Sequence, residues 1–465
     1  MRRRIPAWAW LPIGAALGLA AARLILAPRI LERQPSASAS VPATAEIRIT
    51  FNQAMDEASV IERLHVDSSQ LGETIWQGAT LIYRPQEPWA SGSTVEVRLD
   101  AGARSRRGLA MVVGARWSFS VSEPRLIYLW PADGPAQVYA RTLTQADAVA
   151  LTAAPGGVVD FSIGARGTRL VYVAGSADES TELRELDLVR GEDRRLFDCP
   201  GRERCLSPEL SPDGSRLAFV REAPQAEGTG QMAGRVWMLE AGGETPVPVS
   251  PEGDVAFTPF WSPQGWLAFV DVSRGAILVV DVAQGEPFSP MVTLPSSLGD
   301  RGVWSLDGSQ LIFPDLLLAA SGPAQDEEAE SLAGMQTHLF RWDVSSGTLT
   351  DLTAVGGWRA EDGSPTYTPD GDWVIFNRRL LSQGDWTSGK QLWRMRPDGT
   401  QSEQLTDEAF INYGAPAVGP SGDLAAYLRF NLEAPLEPAQ IWSFDIGTRG
   451  ASFVVEGGYL PAWIP

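Results

Sequence analysis

The sequence predicts an all-β chain: an N-terminal transmembrane helix, a β-sandwich, then a seven-bladed β-propeller closed by the C-terminal strand. Three observations carry this. A turn recurs as Ser211-Pro212-Asp213-Gly214, Ser262-Pro263-Gln264-Gly265, Ser305-Leu306-Asp307-Gly308, Thr368-Pro369-Asp370-Gly371 and Gly419-Pro420-Ser421-Gly422, with a weaker copy at Gly164-Ala165-Arg166-Gly167. Its closing glycines lie 43 to 63 residues apart, the period of a radial array of small sheets. Ahead of the array, short segments alternate polar and apolar residues at the strand period of two. Ahead of those, three arginines precede a long uncharged run.

That run opens the chain. Arg2, Arg3 and Arg4 precede the uncharged stretch Ile5 to Ala22; Arg23 interrupts it and Leu24 to Pro28 continue it. About 20 apolar residues span a bilayer, so residues 1–30 read as a transmembrane signal-anchor. The basic cluster places the N-terminus in the cytoplasm and sends the bulk of the chain outward, a single-pass topology. Ala20-Ala21-Ala22 leaves a cleaved signal peptide as the alternative. Residues 31–43, rich in Ser, Ala and Pro, read as a flexible linker.

From residue 44 the texture changes. Glu46 to Phe51, Thr74 to Trp76, Thr80 to Arg84, Thr94 to Leu99 and Ala115 to Val121 are strand-like and predict a β-sandwich over residues 44–121. The pieces Ile49-Thr50-Phe51-Asn52-Gln53-Ala54-Met55-Asp56, Tyr83-Arg84-Pro85 and Gly92-Ser93-Thr94-Val95-Glu96-Val97 resemble the bacterial Ig-like domain of surface and S-layer proteins. The resemblance implies a stalk or adhesion module.

Residues 122–465 carry the repeats. In each, a first strand enters the turn (Pro259-Phe260-Trp261) and a second leaves it (Trp266 to Val270). A third follows (Ala276 to Asp281) and a fourth ends the unit (Met291 to Leu294). Proline presets the turn backbone, aspartate bonds nearby amides and glycine accepts positive φ. An aspartate closing the third strand, at Asp187, Asp281, Asp343 and Asp445, reads as a turn cap, and several units end in Leu-Thr. Arg125 to Leu129 and the two segments after it supply strands two to four without a first strand, and the C-terminal Gly458 to Pro465 supplies a first strand alone. Together they make the seventh blade and close the ring, with six or eight blades as the alternatives because the loops around Glu222 to Gly234 and Ser321 to Met335 stretch the spacing. The Ser-Pro-Asp-Gly turn and Leu-Thr ending resemble the TolB-like propellers, whose repeats resemble WD40 in layout. That resemblance implies the fold and leaves function open.

Chemistry is sparse. The formal net charge is -19, which repels phosphate backbones and excludes nucleic acid as a partner. Lys390 is the only lysine. The two histidines, His65 and His338, fall in different domains, so no His-rich metal cluster or shared site is expected. No Gly-x-Ser-x-Gly elbow lies in a strand–turn–helix context. With 57 acidic residues, counting identifies no particular carboxylate pair, and the run Asp326-Glu327-Glu328-Ala329-Glu330 reads as a solvated insertion. Cys199 and Cys205, the only cysteines, flank a short polar loop and can close a disulfide staple rather than a zinc or redox site. Trp358, Trp386 and Tyr413 lie in loop-like connections and are candidate exposed aromatics, with packing the stronger reading.

The expectation is therefore a membrane-anchored, extracytoplasmic bacterial protein without catalytic, cofactor-binding or metal residues. It would bind or scaffold as a monomer, its propeller face or channel recognising an envelope protein, peptide or glycan. The alternative is an envelope hydrolase of carbohydrate or peptide with acidic residues in the propeller channel. A pair of buried carboxylates with shifted pKa values at one channel mouth would favour the alternative.

Overall fold

The computed structural model describes residues 26–464 except 42, 44, 68–71, 87–88, 145–146, 177–179, 202, 225–231, 287, 319–334 and 383–385. The chain divides into two compact units, Met1–Glu123 and Pro124–Pro465.

The first unit holds two four-stranded sheets. One orders Ile30–Gln34, Ile47–Phe51, Thr80–Pro85 and Gly72–Gln77; the other orders Ser40–Val41, Ala115–Val121, Thr94–Leu99 and Leu64–Asp67. Strand alternation turns Ile47, Ile49 and Phe51 inward, where they meet Leu81, Val95, Val97, Trp117 and Phe119 in a single core. Trp89 fills the same core and donates its indole N–H to the Ala45 carbonyl at 2.7 Å.

Two expectations change here. The stretch read as a linker, residues 31–43, carries two strands: Ile30–Gln34 pairs antiparallel with Ile47–Phe51, and Ser40–Val41 pairs parallel with Ala115–Val121. An edge strand is held by its backbone and needs few large apolar side chains, which is why composition alone hid it. The transmembrane helix expected over residues 1–30 is also corrected, and with it the signal-anchor and the single-pass, membrane-attached topology. Among the described residues no helix is long and apolar enough to cross a membrane. Residues 1–25 lie outside the described residues, and Ile30 begins a sandwich strand. Just before it, the Arg29 N–H donates to Asn52 Oδ1 and the Leu26 carbonyl accepts from Gln53, so sandwich side chains hold this stretch. Apolar length is necessary for a span but not sufficient for one.

The second unit is propeller-like. Consecutive four-stranded antiparallel sets start at Val158–Ile163, Arg204–Leu210, Ala256–Trp261, Val303–Trp304, Ala360–Tyr367 and Ile411–Val418. One more set orders Val149–Ala150, Gln137–Arg141, Arg125–Trp130 and the C-terminal Tyr459–Ile464, with Trp463 opposite Leu126. The sets starting at Val303 and Ala360 are joined into one eight-stranded sheet by the pairing of Thr337 with Glu361.

Apolar clusters lie between successive sets. Leu311, Trp304 and Phe313 pack on Phe260 and Ile277; Tyr367 and Val374 pack on Ile312 and Leu339. The last set meets the first in the same way, through Ala426, Ile441 and Val454 against Leu126, Tyr128 and Trp463.

The recurring turns have the chemistry read from the sequence. Ser211 Oγ donates to Asp213 Oδ1 at 2.7 Å and accepts from the Arg216 N–H at 2.9 Å, while Gly214 takes φ 72°. Ser305, Asp307 and Gln310 repeat the arrangement. Asp187, Asp281 and Asp445 accept from the N–H groups of Val189, Ala283 and Thr448, as turn caps do. The Leu-Thr ending also has a cause. Thr152, Thr353 and Thr406 each accept, at 3.0 Å, the N–H of a third-strand residue: Val138, Leu339 and Leu392. A buried backbone donor left free by the short fourth strand is thereby satisfied.

Candidate functional site

The first strand of most sets is broken at one position. Its partner register skips between Leu206 and Glu209, Phe257 and Phe260, Gly363 and Thr366, Gly414 and Ala417, and Tyr459 and Ala462. Each skip holds a non-glycine residue at positive φ followed by proline: Ser207-Pro208, Thr258-Pro259, Ser364-Pro365, Ala415-Pro416 and Leu460-Pro461, with φ between 45° and 53°. Proline has no N–H for the ladder and is confined to edges and bulges. The bulge re-aims side chains and backbone amides away from the regular ladder.

Those re-aimed groups build a cavity of about 430 Å³. Its walls come from the first strands of four sets, through Asp160, Ser162, Glu209, Thr258 and Trp463 among others, and from Arg301 just before the strand Val303–Trp304. Asp160 sits at the skip of its own strand, where its Oδ1 accepts from the Phe161 N–H at 2.8 Å. Its Oδ2 accepts at 3.1 Å from the N–H of Ser207, the bulge residue of the next set. Burial, aided by the Glu209 charge and opposed by those two amides and Arg301, pushes the Asp160 carboxyl up to about 6. Glu209 differs. It accepts from Ser162 Oγ at 3.0 Å and is ion-paired with the Arg301 guanidinium, which lies 5.8 Å from the Phe260 ring centroid. One cavity thus holds a carboxyl that keeps its proton to about pH 6 and a carboxylate held against a cation. That combination can donate one proton and accept another.

A second cavity of about 200 Å³ lies beside the Gly214 turn and is rich in arginine. Its cations are already engaged: Arg169 and Arg194 by Glu185, Arg216 by Glu240. It offers no group free for chemistry comparable to Asp160.

The residues singled out in the sequence are scattered. His65 is exposed, 3.2 Å from Asp100. His338 is buried in the other unit, 2.7 Å from Asp351 and 3.3 Å from Gln336. Of the aromatics, Trp386 is exposed and Trp358 meets Trp393 edge-to-face with centroids 5.4 Å apart. Tyr413 is buried and donates to Glu408. Cys199 and Cys205 are bonded, with Cα atoms 5.9 Å apart, and both are buried against Leu183 and Phe219 instead of lying in a surface loop. The acidic run 326–330 lies outside the described residues. Among the described residues no group of three or more His, Cys, Asp or Glu side chains is placed to hold a metal. Asp160, Glu209 and Arg301 were missed. A signal existed: Pro208, Pro259, Pro365 and Pro416 each stand six residues before a turn glycine, marking the bulges that shape the cavity.

Residues 26–121 match the family model described as a bacterial Ig-like domain. An uncharacterized protein of Agrobacterium fabrum is 27% identical over 280 residues, 56% of this chain and 80% of that protein. An uncharacterized peptidase of Bacillus subtilis, YuxL, is 24% identical over 201 residues; the match covers 38% of this chain and only 30% of the peptidase. Among solved structures, a putative TolB from Agrobacterium tumefaciens shares 21% identity at a TM-score of 0.37, covering 58% of this chain and 86% of that one. An oligogalacturonate lyase in complex with manganese shares 18% at 0.42, with coverage of 66% and 75%. A structure from a study of two prolyl endopeptidases shares 12% at 0.49, with coverage of 73% and 48%. The structural likenesses speak to fold alone. The expectation of a non-catalytic binding or scaffold protein is corrected: the Bacillus subtilis relative carries a peptidase name. The chain carries a bacterial Ig-like domain over residues 26–121, followed by a mostly β-sheet, propeller-like fold.

Proposed function

We propose that the second unit is a closed seven-bladed propeller and that the protein is a hydrolase of carbohydrate or peptide, working in the channel at the centre of the ring. Closure is supported by the pairing of Tyr459–Ile464 with Arg125–Trp130 and by the apolar cluster joining the last set to the first. The observation that carries the function is that Asp160 and Glu209 line one cavity in opposed environments. Asp160 donates its proton to the leaving group as the scissile bond breaks. Glu209, oriented by Ser162 and Arg301, takes the proton of the attacking water. A pair of carboxyl groups in one cavity, one buried and one ion-paired, is the equipment of glycoside hydrolysis, which favours a carbohydrate substrate. Arg301 and the amides of the bulges supply donors for substrate oxygen atoms.

The test is turnover of a panel of oligosaccharides and peptides by the wild-type protein and by Asp160→Asn and Glu209→Gln. General acid–base catalysis is worth about 10²- to 10⁴-fold, so each variant is expected to lose activity on that scale while keeping its fold. Activity unaffected by both variants would refute the assignment.

A further inference from the structure

We propose that the Cys199–Cys205 disulfide and Thr181 are positioning groups for the acid–base pair, fixing the spacing between the two sets that carry Asp160 and Glu209. The role of that pair rests on the channel-hydrolase reading; the positioning rests on geometry.

The two carboxyl groups come from different sheets. Asp160 lies in Val158–Ile163 and Glu209 in Arg204–Leu210, each the first strand of its own set. Ladder bonds within a sheet therefore do not set the distance between them. Two side-chain bonds cross the gap: the Ser207 N–H donates to Asp160 Oδ2 at 3.1 Å, and Ser162 Oγ donates to Glu209 at 3.0 Å. Both last only while the sets keep their spacing. The charges around Asp160 depend on it too. Glu209 and Arg301 act on Asp160, Asp160 acts on the Tyr459 hydroxyl, and all three partners belong to other sets.

The disulfide closes this junction. Cys199 directly follows Asp193–Asp198, the fourth strand of the Asp160 set, and Cys205 is the second residue of Arg204–Leu210. Ser207 and Glu209 stand two and four residues beyond Cys205. Both cysteine amides converge on Thr181, which opens the third strand Thr181–Asp187 of the Asp160 set. Cys199 donates to its carbonyl at 3.1 Å, and Cys205 donates to its Oγ1 at 2.7 Å, from one set to the other. All three residues are buried, the cysteines among Val171, Val173 and Leu183 of one set and Leu210, Leu217 and Phe219 of the next. Apolar burial is non-directional, whereas the disulfide and the Thr181 bonds tie particular atoms together. The chain has no other cysteine, so no other junction between sets is closed in this way. A misplacement of about 1 Å between reacting groups can cost about 10²-fold in rate, which is what such a tie prevents.

The test is a pH titration of the full chain labelled with 15N. An amide that donates to a carboxylate changes its resonance when that carboxyl takes a proton. The Ser207 amide is expected to step as Asp160 titrates, and the step to vanish in Asp160→Asn, which identifies the signal. Cys199→Ala with Cys205→Ala is expected to cut the step to less than about half, as the Ser207 bond to the charged form is lost. Thr181→Val keeps the disulfide and should reduce the step in the same direction; it decides the matter where the cysteine variant does not fold. Asp362→Asn, a destabilised variant in another set, should keep the full step, which separates positioning from stability. On a substrate the protein turns over, the cysteine variant should lose about 10²-fold in kcat with KM little changed. The midpoint of the wild-type step tests the acid, and the size of the step tests the positioning. A midpoint near the ordinary 3.8 would contradict the hydrolase reading alone. No step in the wild-type protein, or a full step in both the cysteine variant and Thr181→Val, overturns the proposal.

Discussion

At the scale of single residues, two buried charges behave in opposite ways. Asp160 has its pKa raised from 3.8 to about 6, so the folded state holds its proton more tightly than the unfolded chain does. Its contribution to stability is therefore fully present below pH 3.8 and is lost as pH rises through about 6. At roughly 1.36 kcal/mol per unit, the loss is about 3 kcal/mol across that window. Asp160→Asn is expected to flatten the pH dependence of stability, read from urea unfolding at roughly pH 4 and pH 7. Arg378 and Asp362 show the other case. Their side chains are 1% and 0% exposed, Thr353 Oγ1 donates to the same carboxylate, and the guanidinium lies about 5 Å from the rings of Phe376 and Trp393. Asp362→Asn leaves a buried cation without its partner and should cost about 3–5 kcal/mol. Replacing the pair together, by Arg378→Met with Asp362→Leu, should recover much of that loss. Urea midpoints of the single and double variants check both.

The first strands carry the argument at the scale of elements. The turn read from the sequence is formed as expected at Ser211 and Ser305, because its side-chain bonds are local and the residues that make them are adjacent. The bulge was less legible. Its proline is visible at Pro208, Pro259, Pro365 and Pro416, but the positive φ before it and the aim of Asp160 depend on pairing with a strand elsewhere in the chain. The same holds for the edge strand Ile30–Gln34, which is recognisable only once Ile47–Phe51 is in place beside it. Ala415 offers a test, since it is exposed and sits at φ 45°. A β-branched residue is poorly tolerated there, so Ala415→Val should cost about 1–2 kcal/mol. Ala415→Gly should be neutral or slightly stabilising, because relief of the strained φ offsets the extra freedom of the unfolded chain. Thermal unfolding of the two variants separates them. If both destabilise equally, side-chain packing and not backbone conformation governs the bulge.

At the scale of the whole molecule, the C-terminal strand Tyr459–Ile464 pairs with Arg125–Trp130 of the first set. The array of strands was legible because each repeat restates it. The acid–base pair was not, because Asp160, Glu209 and Arg301 come from three repeats and are ordinary residues in each. Deleting residues 459–465 would remove Trp463 and Ile464 from the clusters that join the first set to its neighbours. Burial of Ile464 alone is worth about 1.5–3 kcal/mol, and the strand Arg125–Trp130 would become an open edge. The truncated chain is expected to unfold at lower urea and to aggregate; an unchanged midpoint would argue against closure. The central claim is that the ring performs acid–base hydrolysis with Asp160 as the acid. Its most direct test is the pH–rate profile of the wild-type protein, on whichever panel substrate it turns over, beside that of Asp160→Asn. The account predicts a wild-type rate that falls as pH rises through about 6 and a variant in which that limb and most of the activity are gone. A variant that keeps both the rate and the limb would contradict it.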